Sequence, residues 1–172
     1  MTRRRCGIDE RRLGSGYLVP ALSARHLYWK REEDPSRGHF TGQSRFTRKR
    51  SFDYSVVCEG RAYAIEEKVA SPRVSLRPHQ DEQLTRFERD GGGIALIVVF
   101  SKAGRVWTLW MLRYRAFKRY LHHHGRKSFP AHDLPRHAIP CPRMNGVFQI
   151  PLGRMRQRIQ HRNSPAATEA AA

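Results

Sequence analysis

Acid is scarce in this chain. Its 172 residues hold 15 Asp plus Glu against 33 Lys plus Arg, a formal net charge of +18. Folding does not need such an excess, and repulsion among like charges works against the compact state. A polyanionic partner is the simplest account, nucleic acid first and anionic lipid second. Long apolar runs are missing too: no stretch of about 18 apolar residues occurs, so no membrane-spanning helix and no membrane partner are expected. The basic start, MTRRRCGIDERR, lacks the apolar segment that follows in a secretory signal. Cysteine is sparse. Cys6, Cys58 and Cys141 are odd in number, far apart and without a CxxC pair. Neither a zinc ribbon nor a disulfide framework is indicated, and an intracellular, reducing compartment fits, with the cytoplasm beside the nucleoid as the expected location. A Walker-type phosphate loop and a GxSxG turn are both lacking, so neither a nucleotide cofactor nor acyl-transfer chemistry is expected.

What is present suits one domain with a sizeable core. Residues 1–13 read as a basic N-terminal arm, 14–160 as a single domain, and 161–172, which include NSPAATEAAA, as a disordered tail. GYLVPALSARHLYWK (16–30) reads as a helix ending near His26 and a short strand at HLYWK, with Pro20 limiting an unbroken helix upstream. SRGHFTGQSRFTRKR (36–50) holds five Arg or Lys and no acid. Like charges concentrated in this way favour a DNA-contacting loop or hairpin over a solvated linker.

FDYSVV (52–57) and AYAIEEKVA (62–70) are strand-like, with CEGR as the turn of a hairpin between them. HQDEQLTRFERDGGG (79–93) reads as a helix with Leu84 and Phe87 on one face, stopped by its glycines. IALIVVF (94–100) has the continuous apolar character of a central strand covered on both faces. RVWTLW (105–110) adds a strand, LRYRAFKRYLHHH (112–124) a basic helix, and GRKSFPAHDLPRHAIPCP (125–142) a loop-rich stretch. The order implies a compact α/β domain around a mixed central sheet flanked by helices.

Glu66, Glu67 and Lys68 interrupt an otherwise apolar strand. At a period of two, Glu66 and Lys68 share one face while Glu67, Ile65 and Val69 share the other. Desolvating either charge alone costs several kcal/mol, so each needs a partner or a metal ion. Asp53, on the preceding strand of the hairpin, converges with Glu66. Such hard oxygen ligands suit Mg²⁺, or Mn²⁺ in its place. Lys68 beside the metal can stabilise a phosphate oxygen or orient an attacking water. The bland alternative is a surface hairpin whose Glu66–Lys68 pair contributes about 0–1 kcal/mol. The adjacent histidines His122, His123 and His124 face different directions with no acid or cysteine near them, which favours a basic helix end over a metal site. Arg113, Arg115, Lys118 and Arg119 read equally as a solvated face or as DNA contacts. His79 reads as a base or as a structural residue that caps the helix or satisfies a loop carbonyl, the structural role being favoured.

Asp53, Glu66 and Lys68 form the D-(x)n-E-x-K pattern of the PD-(D/E)XK nuclease superfamily. Residues 52 to 137 resemble more specifically the RecU-type Holliday junction resolvases. The resemblance is carried in order by Asp53, Gly60 with Arg61, Glu66 with Lys68, His79 with Gln80, the glycines before IALIVVF, and GRKSFPAHDL. It implies a restriction-endonuclease-like core and a Mg²⁺-dependent endodeoxyribonuclease, a homodimer that resolves four-way DNA junctions by paired symmetric nicks. It makes Asp53 and Glu66 metal ligands, Lys68 the catalytic lysine and Gln80 a helix-borne residue lining the site. Glu67 lends its backbone carbonyl to the metal while its side chain points away. The family's acidic residue on an N-terminal helix falls on Glu10, with Asp9 as the alternative. Its basic projection into the junction falls on 36–50, where Arg37, Arg45, Arg48, Lys49 and Arg50 are the candidate phosphate contacts. Phe46 either stacks on a base or anchors the loop.

Overall fold

The computed structural model describes residues 12–24, 27–32, 52–70, 72–103 and 106–152. The chain enters through a helical segment, α1, that is π-helical over Gly14–Leu18 and α-helical over Val19–Ser23. The wide turn is where Pro20 is accommodated. Proline lacks the donor for a regular turn, and the Val19 N–H reaches back to the Gly14 carbonyl, so the helix continues instead of breaking. Strand β1 (Tyr28–Arg31) follows, then β2 (Tyr54–Cys58), β3 (Arg61–Ala70), β4 (Arg73–Val74), helix α2 (Pro78–Asp90), β5 (Ile94–Ala103) and β6 (Val106–Arg113). Helix α3 (Tyr114–His123), β7 (Phe129–Pro130), a 3₁₀ turn at Ala131–Asp133, α4 (Leu134–His137), β8 (Ile139–Cys141), β9 (Arg143–Met144) and β10 (Val147–Phe148) complete the order.

Among the described residues six strands form one sheet in the order β1-β2-β3-β5-β6-β8. Of these described strands β3 and β5 run parallel, with α2 in the crossover between them, and the other neighbouring pairs are antiparallel. The sheet is thus mixed and flanked by helices, as the order of elements in the sequence implies. The β2–β3 hairpin closes through Glu59 and Gly60, both at positive φ (50° and 70°), the backbone of a two-residue turn matched to strand twist. β5 lies inside the sheet and is apolar throughout its first seven residues, because helices and chain cover both faces.

One face packs Tyr54, Ile65, Leu96, Val98 and Phe100 against Leu18 and Leu22 of α1 and the C-terminal Phe148, Ile150 and Leu152. The other packs Ala64, Ile97 and Val99 against Leu84 of α2, Phe117 of α3, and Phe129. Two parts differ from the sequence reading. The stretch expected as a helix from residue 112 is strand through Arg113, because Leu112 pairs with Ile97. The loop-rich stretch contains β8, an edge strand paired to β6, where Pro140 lies opposite Trp110. An edge position tolerates a residue with no N–H to give the ladder.

The acids of α2 tie the helices down. The buried Glu88 carboxylate accepts the Ala95 N–H at 3.1 Å and pairs with Arg115 Nε at 2.9 Å. Lys118 meets Asp81 at 2.7 Å, so Arg115 and Lys118, two of the four candidate DNA-facing cations of residues 113–119, hold α2 instead. Glu88→Ala should destabilise the protein by about 2–3 kcal/mol by stranding the buried Ala95 N–H, with Glu88→Gln costing less; urea unfolding measures both. Cys58 and Cys141 are buried, and burial pushes the Cys141 thiol up to about 12.

Candidate active site

The site is built at the open end of the β2–β3 hairpin. Tyr54 pairs with Ile65, and the Asp53 N–H reaches the Ile65 carbonyl at 3.0 Å. That register sets Asp53 across from Glu66. Strand alternation turns Asp53, Glu66 and Lys68 to the face under α2. Lys68 Nζ donates to Glu66 Oε1 at 2.7 Å, and Gln80 Nε2 donates to the same oxygen from the first turn of α2. The other end of the Gln80 amide is committed as well: its Oε1 accepts the Arg77 N–H at 3.0 Å, capping the helix. This contact fixes which way the amide points and aims its NH₂ at Glu66. Asp53 Oδ2 accepts the Glu67 N–H at 2.8 Å, which locks that carboxylate onto β3.

Asp53, Glu66 and Gln80 are all buried, at 6, 2 and 9 % exposure, whereas the Lys68 side chain keeps 12 %. The surface-hairpin alternative, with its solvated ion pair, is therefore not what the structure shows. Among the described residues two desolvated carboxylates stand beside one ammonium, a grouping that suits a bound cation. The Asp53 and Glu66 carboxylates offer oxygen donors, and this donor chemistry fits Mg²⁺ or Mn²⁺. Among the described residues no group of three His, Cys, Asp or Glu side chains is gathered for a metal. A third acidic side chain would have to come from elsewhere, and Glu10 and Asp9 lie outside the described residues, as do Arg37, Arg45, Phe46, Arg48, Lys49 and Arg50.

The Glu67 side chain is on the opposite face, beneath α1. Tyr54 Oη donates to its Oε2 at 3.4 Å. Burial first, and then the neighbouring Glu67 charge, push the Tyr54 hydroxyl well above its ordinary value. α1 comes so close here that a Cβ on Gly14 would lie 2.1 Å from Glu67 Oε2 and 2.8 Å from Tyr54 Oη. Gly14, a weak helix former, is thus what lets the helix lie on the sheet.

Glu32 is a residue that sequence reasoning passed over. Its N–H bonds the Asp53 carbonyl at 3.0 Å, and its Oε1 accepts from Ser55 Oγ at 2.6 Å. It therefore extends β1 alongside Asp53 and steadies the start of β2. The available signal was the distance of two residues from Lys30, which pairs with Ser55. The histidines at the end of α3 make ring contacts, His124 to Tyr120 at 4.4 Å and to His123 at 4.9 Å. The short hydrogen bond from Tyr120 to Asp133 closes the same cluster.

No family model matches the sequence, and no curated protein matches it. Among solved structures, the chain is similar to Hjc of Archaeoglobus fulgidus, a Holliday junction resolvase from an archaeal hyperthermophile. The TM-score is 0.48 and the identity 20 %, over 72 % of this chain and 89 % of that one. A likeness of that degree leaves the assignment of function to this chain's own residues.

Proposed function

We propose that this chain is a metal-dependent, structure-selective endonuclease of the PD-(D/E)XK type, a RecU-like resolvase that cuts four-way DNA junctions by paired symmetric nicks. One observation carries the chemistry: buried Asp53 and Glu66 stand side by side across a hairpin, with Lys68 and Gln80 both bonded to one Glu66 oxygen. Asp53, Glu66 and the Glu67 carbonyl would hold Mg²⁺. A bound Mg²⁺ supplies Lewis acidity toward the scissile phosphate and acidifies a water. Lys68, the most exposed member, is placed to donate to a phosphate oxygen or to orient the attacking water. Gln80 holds Glu66 in place and is itself held by the helix cap. The +18 charge supplies the attraction to DNA.

The four-way junction as substrate, and a homodimer with two sites to match its near two-fold symmetry, follow from the sequence resemblance and the basic 36–50 segment. A basic DNA-binding protein without catalysis, or a nuclease for other branched or duplex DNA, is the competing reading. The test is cleavage of a synthetic junction beside linear duplex of the same arms, in Mg²⁺, Mn²⁺ or EDTA, with the full chain and a chain lacking 37–48. Paired nicks in the junction alone, with preference lost on deletion, are expected. Equal cutting of both substrates by the full chain would remove junction selectivity, and no cutting with any metal would remove the enzyme.

A further inference from the structure

The far end of the sheet carries a feature that the cleavage chemistry does not use. Trp107 stands directly opposite Lys102 in the β5–β6 ladder, and the Lys102 ammonium lies 5.6 Å from the indole centre. The indole is only half-buried, packed on the core by one part of its surface. It separates two open clefts. The larger, about 540 Å³, is lined by Val69, Ala70, Ser101, Lys102, Trp107 and His132 among others. The smaller, about 420 Å³, lies between Trp107 and Arg12, Gly16 and Tyr17 of α1. On that side the Arg143 guanidinium sits 5.3 Å from the Tyr17 ring centre. Among the described residues neither cleft is lined by a carboxylate.

The register connects this end to the active site. Lys68 pairs with Val99 and Ala70 with Ser101, so the larger cleft begins two residues, about 7 Å, beyond the catalytic lysine along β3. Ala70 and Ser101 belong to the face that carries Glu66 and Lys68, whereas Lys102 and Trp107 lie with Phe100 on the face of α1, so the larger cleft wraps around the end of the sheet from one face to the other. Trp110 Nε1 donates to Ser101 Oγ at 2.9 Å and keeps that cleft wall in place. A half-exposed indole with a cation beside it, on a cleft that reaches around the sheet end toward the face of Lys68, has the chemistry of a base-stacking platform.

We propose that the Trp107–Lys102 platform binds an unpaired stretch of the substrate strand next to the scissile phosphate, with a base stacked on the indole and its phosphate at Lys102. The platform favours opened DNA over intact duplex, whose bases offer no free face. In its link to cleavage this inference rests on the nuclease reading; the binding itself does not.

The experiment uses the full chain in EDTA, where no metal-dependent cutting intervenes, and follows the anisotropy of a labelled short oligothymidine and of a duplex of equal length. Trp107→Leu should weaken oligothymidine binding by roughly 5- to 150-fold, the range of one lost base stack, and leave duplex binding within about two-fold. Trp107→Tyr, which keeps an aromatic face, should recover most of the loss. Lys102→Ala should lower the slope of log K against log salt by about 0.7, one phosphate contact on a single strand. Equal oligothymidine affinity for the wild type and Trp107→Leu, or equal losses on oligomer and duplex, would overturn the platform. Trp107-dependent binding by a chain that cleaves no branched DNA would uphold the platform while removing the nuclease reading.

Discussion

Glu66→Gln should reduce junction cleavage by at least about 10³-fold while leaving the fold in place. The change is isosteric, and the amide can still accept a hydrogen bond, so the β2–β3 hairpin and the cap of α2 have no reason to move. The lost charge is the one that faces the proposed cation and orders Lys68, whose Nζ is 2.7 Å away. Asp53→Asn should behave alike, because its carboxylate is held against the Glu67 N–H and cannot be replaced by a neighbour without that bond breaking. Cleavage of a labelled junction in Mg²⁺ reads the rate. DNA binding in EDTA and far-UV circular dichroism should stay at wild-type values. Variants that cut at the wild-type rate would show that the chemistry lies elsewhere in the chain.

The second large effect is on stability. Lys68→Met should destabilise the protein by about 3 kcal/mol, because it removes the ammonium 2.7 Å from the Glu66 carboxylate, which is only 2 % exposed. Replacing both members, Glu66→Leu with Lys68→Met, should recover that loss and bring stability to the wild-type level or above it. A desolvated ion pair is commonly no better than well-packed apolar side chains. Urea unfolding of the three proteins measures the comparison. A double variant as unstable as Lys68→Met alone would mean that the charges hold the sheet together, and that the site is built for stability. The expected result is an inactive protein more stable than the active one, the usual trade at a site shaped for chemistry.

Much of this architecture is local in origin. The hairpin from Tyr54 to Ala70 is legible because strand residues flank a glycine turn. The shared face of Glu66 and Lys68 follows from the period of two and needs no tertiary information. The helix over Pro78–Asp90 and the buried strand from Ile94 are marked by their own ends and apolar content. β8 was missed because IPC is too short and proline-bearing to read as a strand until β6 is there to pair with it. The partners of Arg115 and Lys118 were open for a related reason: a cation's hydrogen bond to an acid on another helix depends on how the two helices pack.

Sequence by itself determined the sign of the charge, the hairpin, the E-x-K face and the identity of the buried strand, since each is set by neighbours within a few residues. Only the tertiary structure decided that Gln80 shares Glu66 with Lys68, that Glu32 braces Asp53, that Gly14 lets α1 close over Glu67, and that Trp107 stands between two cation-lined clefts. These contacts join segments brought together by sheet order and helix packing, and no periodicity within one segment encodes them.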